Sequence, residues 1–204
     1  MIYKEDVDKS MSFQAYYQLV EELAGKGGTT GLDQNESLIE YTKLNYSRMK
    51  RILKTTPIAP EVIDTVHCFT EKLTWLVLAE SWCGDAAQNI PVLEKIAEAN
   101  PNIEVRIILR DENPDIMDRF LTKGSRSIPK LIAIDENYQV LGTWGPRPSY
   151  LQDWLYREKN DPTMEMSTLK VEFQKWYAQD KGQTLQREMI LLMKEWLEKE
   201  CFGH

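Results

Sequence analysis

The segment Ala79-Glu80-Ser81-Trp82-Cys83-Gly84-Asp85-Ala86 connects an apolar run to a helical pattern. The run before it, Leu73 to Ala79, is short and uninterrupted, which is typical of a β-strand covered on both faces. The residues after it predict a helix that continues to about Ala99 and is stopped by Asn100-Pro101-Asn102. A buried strand therefore leads through a tight turn into a helix, and the turn carries a cysteine.

Strands and helices continue to alternate on both sides of this unit. A short helix is predicted before it, and a strand, a helix, two strands and a closing helix are predicted after it: Glu61 to about Phe69, Ile103 to Leu109, Pro114 to Thr122, Leu131 to Ile134, Gln139 to Trp144 and Tyr150 to Tyr156. The residues 135–138 join the last two strands, and this connection is short enough for an antiparallel hairpin. The order of elements favours a three-layer α/β domain.

The turn resembles the active-site turn of the thioredoxin family, which carries Trp-Cys-Gly-Pro-Cys between a buried strand and a helix. Trp82, Cys83 and Gly84 match that motif, whereas Asp85 stands in place of the proline and Ala86 in place of the second cysteine. The resemblance also points to a group of bacterial thioredoxin-family proteins with Trp-Cys-Gly-Asp-Ala turns.

Four further landmarks occur in the order that the family shows. Pro91, eight residues after Cys83, corresponds to the proline that kinks the helix, and Asp111-Glu112-Asn113-Pro114 resembles the family's Asp-x-Asn-Pro. Ser127-Ile128-Pro129 resembles the loop with the cis-proline, and Gly145 lies sixteen residues after Pro129, as the late family glycine does. The resemblance implies a thioredoxin-like three-layer α/β/α sandwich with a mixed central sheet.

Helical patterns flank the predicted domain. We predict an N-terminal helical extension over residues 1–59, the thioredoxin-like domain over 60–159 and a C-terminal helical extension over 160–204. The C-terminal extension has one apolar stripe on each side of Gly182. These stripes are expected to pack against the N-terminal helices or against a second copy of the chain, so a homodimer is one expectation.

Cys83 is the predicted nucleophile. The unsatisfied N–H groups and the positive end of a helix stabilise a thiolate, and in related sites they lower the thiol pKa from about 8.5 to about 3.5–7.5. The resemblance places the loop Ile128-Pro129 opposite Cys83, where its backbone edge can pair with an extended peptide. With Trp82 covering one side, the expected site is a partly exposed thiol beside a peptide-sized groove.

The departures from the family's pattern bear on the mechanism. Ala86 cannot resolve a mixed disulfide as a second cysteine does. Asp85 adds a negative charge that opposes thiolate formation, or it caps the helix and favours its dipole. The family's buried Asp, six residues before the nucleophile, is here Val77, and the buried Lys that accompanies it is here Ile107. The resolving machinery is missing as a set, which indicates a changed mechanism.

The other candidate residues are less specific. Cys68 is predicted to be a buried structural thiol roughly 20 Å from Cys83, at the far end of the preceding strand. Cys201 lies in the tail, from which it could reach Cys83 of the same or another subunit. Arg147 or Arg126 could hold an acidic group such as the carboxylate of a thiol peptide, or could form a surface ion pair.

Composition limits the class of protein. The 204 residues carry a net charge of −7, which argues against a nucleic-acid partner, although Lys43, Arg48, Lys50, Arg51 and Lys54 form one basic stretch. That stretch is interpreted as a solvated helix face. Three separated cysteines and two histidines predict neither a disulfide framework nor a metal site. The absence of a long apolar run and of a signal-peptide pattern favours a cytoplasmic protein without a membrane span.

Two functions follow as expectations. The first is a monothiol protein that takes part in thiol–disulfide exchange or cell redox homeostasis through Cys83, with a protein disulfide or thiol, or a low-molecular-weight thiol, as its partner. Electrons would pass by thiol exchange, so no cofactor is expected. The second is a non-catalytic thioredoxin-fold module that binds a partner protein. The presence of Trp82, Cys83 and Gly84 favours the first function, and the missing resolving residues favour the second.

Overall fold

The computed structural model describes residues 1–159, 161 and 164–202, with side chains described as far as residue 198. Five strands form one sheet: β1 (Met11–Ser12), β2 (Leu73–Ala79), β3 (Ile103–Leu109), β4 (Lys130–Asp135) and β5 (Val140–Trp144). The helices within the described residues are α1 (Lys4–Asp8), α2 (Phe13–Lys26), α3 (Glu36–Thr55), α4 (Pro60–Val66), α5 (Gly84–Ala97), α6 (Pro114–Met117), α7 (Ser149–Glu158), α8 (Met166–Asp180) and α9 (Gln183–Phe202).

The sheet has the order β1-β3-β2-β4-β5. β2 is parallel to β3, whereas β4 is antiparallel to β2 and to β5, so the sheet is mixed. This confirms the predicted α/β fold of the thioredoxin type with additional helices. β2 is the central strand, and its side chains are buried on both faces except for the half-buried Thr74. The uninterrupted apolar run is explained by this position.

Most predicted elements are found close to their predicted bounds, and two differ. The helix predicted from Pro114 to Thr122 ends at Met117, because the chain then turns and Thr122 exchanges backbone hydrogen bonds with Ser125. The N-terminal segment is not only helical, since β1 adds an antiparallel edge strand to β3. A strand of two residues is too short for a period-2 pattern, and so the sequence carried no signal for it.

The C-terminal helices pack differently from the expectation. α9 buries Leu185, Met189, Met193 and Trp196 in the main core, where it packs against α4 and β5 rather than against the N-terminal helices. α8 forms a second cluster with α7, built from Leu151, Leu169, Phe173 and Tyr177. Both stripes are therefore covered within one chain. The domain boundaries at 60 and 159, and the homodimer, stay predictions.

Glu94 on α5 provides a prediction about pH and stability. Burial and the neighbouring carboxylates of Glu98 and Glu104 raise its pKa from 4.5 to about 7. A raised pKa in the folded state gives stability that is fully present below pH 4.5 and is lost as the pH rises through about 7. We expect Glu94→Gln to raise the free energy of unfolding by about 1 kcal/mol at pH 8, after allowance for solvent screening, and by almost nothing at pH 4.5.

Urea unfolding at the two pH values measures this difference. Glu71→Gln, at an exposed carboxylate in the loop before β2, is the control and should change the free energy of unfolding at neither pH. An equal effect of Glu94→Gln at both pH values would show that packing, rather than ionisation, is responsible.

Candidate functional site

Cys83 is the residue before the first turn of α5. Its backbone is extended (φ −79°, ψ 113°), and its Sγ accepts a hydrogen bond from the Ala86 N–H at 3.4 Å. The Cys83 N–H in turn donates to the Glu80 carbonyl at 3.1 Å, which closes the turn after β2. The thiol therefore caps the helix in the position that Ser or Asp usually takes.

The loop opposite Cys83 is the one predicted from sequence. The Ile128–Pro129 peptide bond is cis, and the Cys83 thiol donates to the Ile128 carbonyl oxygen at an Sγ···O distance of 3.4 Å. Gly145 supports this loop from behind: a Cβ there would lie 2.3 Å from the Pro129 oxygen, and its φ is +113°. Only glycine satisfies both the spacing and the backbone at this point. Cys83, Ile128 and Pro129 thus meet in space.

The thiol is less accessible than predicted. Cys83 is 8% exposed, so the expectation of a partly exposed thiol is wrong. Burial, followed by the charge of Asp85, raises the pKa of Cys83 to about 12, whereas hydrogen bonds from the Ala86 and Asp85 backbone and the charge of Arg147 act in the opposite direction. Desolvation outweighs the helix terminus because a thiolate loses more free energy on leaving water than two N–H contacts return.

Asp85 is held by two partners that lie far from it in the chain. Arg147 donates to Asp85 Oδ2 from Nε at 3.0 Å and from Nη2 at 2.7 Å, and the Tyr177 hydroxyl donates to Oδ1 at 2.8 Å. Both side chains of the ion pair are only 15% exposed. The interpretation of Asp85 as a capping residue is therefore corrected, since Cys83 caps the helix and Asp85 forms a largely buried ion pair.

The two arginines considered as anion ligands are both already paired. Arg147 is bound to Asp85, as described above, and its guanidinium also lies 5.8 Å from the centre of the Phe173 ring. Burial lowers the pKa of Arg147, but the charge and the hydrogen bond of Asp85, together with Tyr177 and Cys83, offset this and the pKa is raised overall. Arg126 forms an exposed ion pair with Asp118 at 2.7 Å. Neither guanidinium is left to hold a ligand.

α8 covers the turn from the C-terminal side. Tyr177 accepts a hydrogen bond from Asn89 Nδ2 at 3.0 Å, and Gln174 Oε1 accepts one from Gln88 Nε2 at 2.7 Å. A Cβ on Gly84 would lie 3.3 Å from Gln174 Nε2, so this side chain lies directly beside the turn. A cavity of about 150 Å³ lies farther along, between α3, α5 and α8, and Cys83, Ile128 and Pro129 do not line it. The peptide-sized groove beside Cys83 stays a prediction.

A polar network from the N-terminal segment holds the residues before Cys83. Glu80 is fully buried, accepts a hydrogen bond from the Thr30 hydroxyl and one from the Asp111 N–H at 2.8 Å, and has its pKa raised by burial. The Ser81 N–H donates to Thr30 Oγ1 at 2.9 Å, and Asn45 Nδ2 donates to the Ser81 carbonyl at 2.8 Å. Sequence reasoning missed these residues because no local pattern links Thr30 or Asn45 to the turn.

Val77 and Ile107, which stand where the family has its buried Asp and Lys, are direct neighbours. They are Cα partners in the parallel ladder of β2 and β3, and each is 0% exposed. An isolated charge at either place would be costly in this apolar environment, so both polar groups have to be replaced together. The contact between the two positions is the physical reason why Val77 and Ile107 replace the family's Asp and Lys together.

Of the two other cysteines, the structure describes the side chain of Cys68. Cys68 is exposed, so the prediction of a buried structural thiol is wrong; its thiol donates to the Asp64 carbonyl at 3.4 Å on the outer face at the end of α4. The side chain of Cys201 lies outside the described residues, and its proposed contact with Cys83 stays a prediction.

Two further kinds of feature are absent from the described part of the chain. Among its His, Cys, Asp and Glu side chains, no group of three or more is arranged to hold a metal ion. No helix in this part combines the length and the apolar character that crossing a bilayer requires.

Comparison with solved structures agrees with the fold. A protein of unknown function from Pseudomonas aeruginosa superposes with a TM-score of 0.61 at 16% identity, over 95% of this chain and 98% of that one. An HIV epitope scaffold superposes with a TM-score of 0.57 at 18% identity, over 97% of this chain and 96% of that one. At these identities the two structures establish the shared fold alone.

Sequence relatives add the family. A Streptomyces coelicolor protein that carries the name thioredoxin 2 is 36% identical over 67 residues, which are 33% of this chain and 48% of that protein. The chain thus spans about half of the length of this curated relative. A family model described as thioredoxin matches residues 31–167, more than half of the chain and including the turn around Cys83. The chain therefore belongs to the thioredoxin family.

Proposed function

We propose that the protein exchanges thiols and disulfides through Cys83 alone, as a monothiol member of the thioredoxin family that contributes to redox homeostasis. The observation that carries this proposal is the position of the Cys83 Sγ, between the Ala86 N–H at the start of α5 and the Ile128 carbonyl beside the cis-proline. A thiol in this position faces the backbone edge to which an extended peptide can bind.

The proposed exchange has two steps. The Cys83 thiolate attacks one sulfur of a partner's disulfide, a Cys83–partner disulfide forms, and the other sulfur leaves as a thiolate that takes up a proton. A low-molecular-weight thiol or a thiol of a second protein then attacks the mixed disulfide and releases Cys83. The outside thiol is needed because Ala86 stands where a resolving cysteine would be.

The burial of Cys83 means that this function requires the turn to open. At neutral pH the buried thiol is protonated, because its pKa is raised to about 12. The side chains of Gln174 and Tyr177 on α8 hold the turn closed through hydrogen bonds rather than through the main apolar core. In this proposal these contacts separate transiently in the folded protein and admit the disulfide.

The second candidate function is a non-catalytic binding module. The burial of Cys83 favours it, and so does the apolar pair that Val77 and Ile107 form in place of a proton-accepting pair. In that case the thiol serves as the helix cap, and the surface around the cis-proline loop recognises a partner.

Alkylation of Cys83 measures the state of the thiol. In a variant that retains only Cys83 (Cys68→Ser, Cys201→Ser), we expect the rate of reaction with iodoacetamide to keep rising from pH 6 to pH 10. A free cysteine peptide should instead level off above its pKa of about 8.5. The difference arises because the Cys83 thiolate fraction still increases about ten-fold for each pH unit in this range.

The reaction with disulfides decides between the two functions. The same single-cysteine variant is incubated with 2-hydroxyethyl disulfide, and the mixed disulfide is followed by intact mass before and after addition of a small thiol. Formation and release of the adduct in the folded protein support exchange. If Cys83 reacts only after unfolding in urea, the monothiol function is rejected and the binding module is the better account.

A further inference from the structure

The half-buried arginines among the described residues differ in whether they form an ion pair with a carboxylate. Most of the half-buried ones are paired: Arg106 with Glu104, Arg110 with Asp111, Arg119 with Asp6 and Arg147 with Asp85. Arg48 on α3 is also half-buried, but no described carboxylate lies within ion-pair distance of it. Burial lowers the pKa of Arg48, although the charge of Asp85 acts in the opposite direction, so the guanidinium has lost solvent without a carboxylate in direct contact.

Arg48 is held in place by the active-site turn. Its Nη1 donates to Asn45 Oδ1 at 2.8 Å, and the Nδ2 of the same asparagine donates to the Ser81 carbonyl at 2.8 Å. Asn45 is 0% exposed, so this connection is a buried amide that joins the guanidinium to the residue two positions before Cys83. Such an arrangement reduces the side-chain entropy that an arginine loses when it binds a ligand.

The guanidinium also lies close to the start of α5. A Cβ built on Gly84 would be 3.4 Å from Arg48 Nη1, so the guanidinium lies beside the residue that follows the nucleophile. The φ of Gly84 is not left-handed, and the backbone therefore does not require glycine there. The absence of a Cβ at this position instead lets the Arg48 guanidinium approach the turn closely.

We propose that Arg48 determines specificity by binding a carboxylate that the substrate carries near the sulfur attacked by Cys83. The proposal rests on the exchange function described above and names its substrate class, an acidic thiol or disulfide. The position next to the turn suits a carboxylate a few bonds from the reacting sulfur, and a guanidinium binds this planar group in a bidentate manner.

A matched pair of small disulfides tests the proposal. 3,3′-Dithiodipropionate carries a carboxylate on each half, and 2-hydroxyethyl disulfide is its neutral counterpart of similar size. In each reaction Cys83 forms a bond to one sulfur, the probe's S–S bond breaks, and the second half leaves as a thiol with the proton from Cys83. Because each probe supplies the oxidant, the electrons balance and nothing else is needed.

The predicted effect is selective. In the variant that retains only Cys83, Arg48→Gln should lower the rate with the dicarboxylate about ten-fold, the equivalent of ~1.4 kcal/mol, and leave the rate with the neutral disulfide unchanged. Glutamine can still donate to Asn45, so the fold is preserved. Arg51→Gln, at the exposed arginine one turn farther along α3, is the matched control and should change neither rate.

A binding measurement separates this proposal from the proposed function. In Cys83→Ser, which cannot react, titration with 3,3′-dithiodipropionate should shift the NMR signal of Arg48 Nε, whereas the neutral disulfide should not. If the Arg48 signal shifts but Cys83 reacts with neither disulfide in the protein that retains its thiol, the acidic ligand is supported and the exchange function is rejected. Equal loss of both rates in Arg48→Gln, or no shift of the Arg48 signal, would overturn the role of Arg48.

Discussion

Asp85→Asn should make Cys83 about ten-fold more reactive towards iodoacetamide at pH 8. After burial, the charge of Asp85 is the largest cause of the raised Cys83 pKa, and its removal also leaves the guanidinium of Arg147 without its anion near the thiol. The thiolate population rises ten-fold for each unit by which the pKa falls. Each thiolate also becomes a weaker nucleophile as the thiol pKa falls. This loss cancels about half of the gain in rate on a logarithmic scale.

The experiment uses the variant that retains only Cys83, and far-UV circular dichroism checks the fold of each protein. Asp118→Asn is the matched control, because it also removes a carboxylate from an arginine pair, but at an exposed position. An unchanged rate in Asp85→Asn would mean that burial alone keeps Cys83 protonated. A partner that moved α8 away without displacing Asp85 would then be sufficient for activation.

Trp196→Ala should lower the free energy of unfolding by about 3–5 kcal/mol, which corresponds to a fall in Tm on the order of 10 °C. Trp196 is 1% exposed, and its ring packs edge-on against Trp75 of the central strand at 6.3 Å between ring centres. A Cβ on Gly142 would lie 2.2 Å from its Nε1, so the indole also lies directly on β5. The cavity left by alanine could not be filled by small adjustments.

Leu191→Ala is the control on the same helix, because Leu191 is 64% exposed and its truncation should cost little. Thermal unfolding followed by circular dichroism measures both variants. A loss of less than about 1 kcal/mol in Trp196→Ala would indicate that α9 is a peripheral helix. A large loss would show that the predicted C-terminal extension contributes to the core of the thioredoxin-like domain.

The features that sequence analysis predicted correctly are those with a local cause. The strand from Leu73 to Ala79 follows from an uninterrupted apolar run, and its bounds agree with those of β2. The placement of Cys83 at a helix start follows from the turn motif and its spacing to later landmarks. These features depend on residues that are adjacent in the chain or on a familiar spacing between short motifs.

The chemistry of the thiol was not predictable in this way. The sequence placed Cys83 at the positive end of a helix, and from this we expected a lower pKa and partial exposure. Tertiary structure decided otherwise, because Arg147 and Tyr177 reach Asp85 from 62 and 92 residues away and α8 covers the turn. The role of Arg48 likewise depends on Asn45 meeting Ser81 across 36 residues.

The fold class, the central strand and the residue at the start of α5 thus follow from local sequence patterns and the spacing of short motifs. Tertiary structure decided whether that residue is charged, what covers it and which half-buried arginine has no described carboxylate within ion-pair distance. The reason is that strand and helix formation depends on the spacing of neighbouring side chains, whereas a pKa depends on desolvation and on charges a few ångströms away. Packing between distant segments, including both helical extensions, fixes those distances.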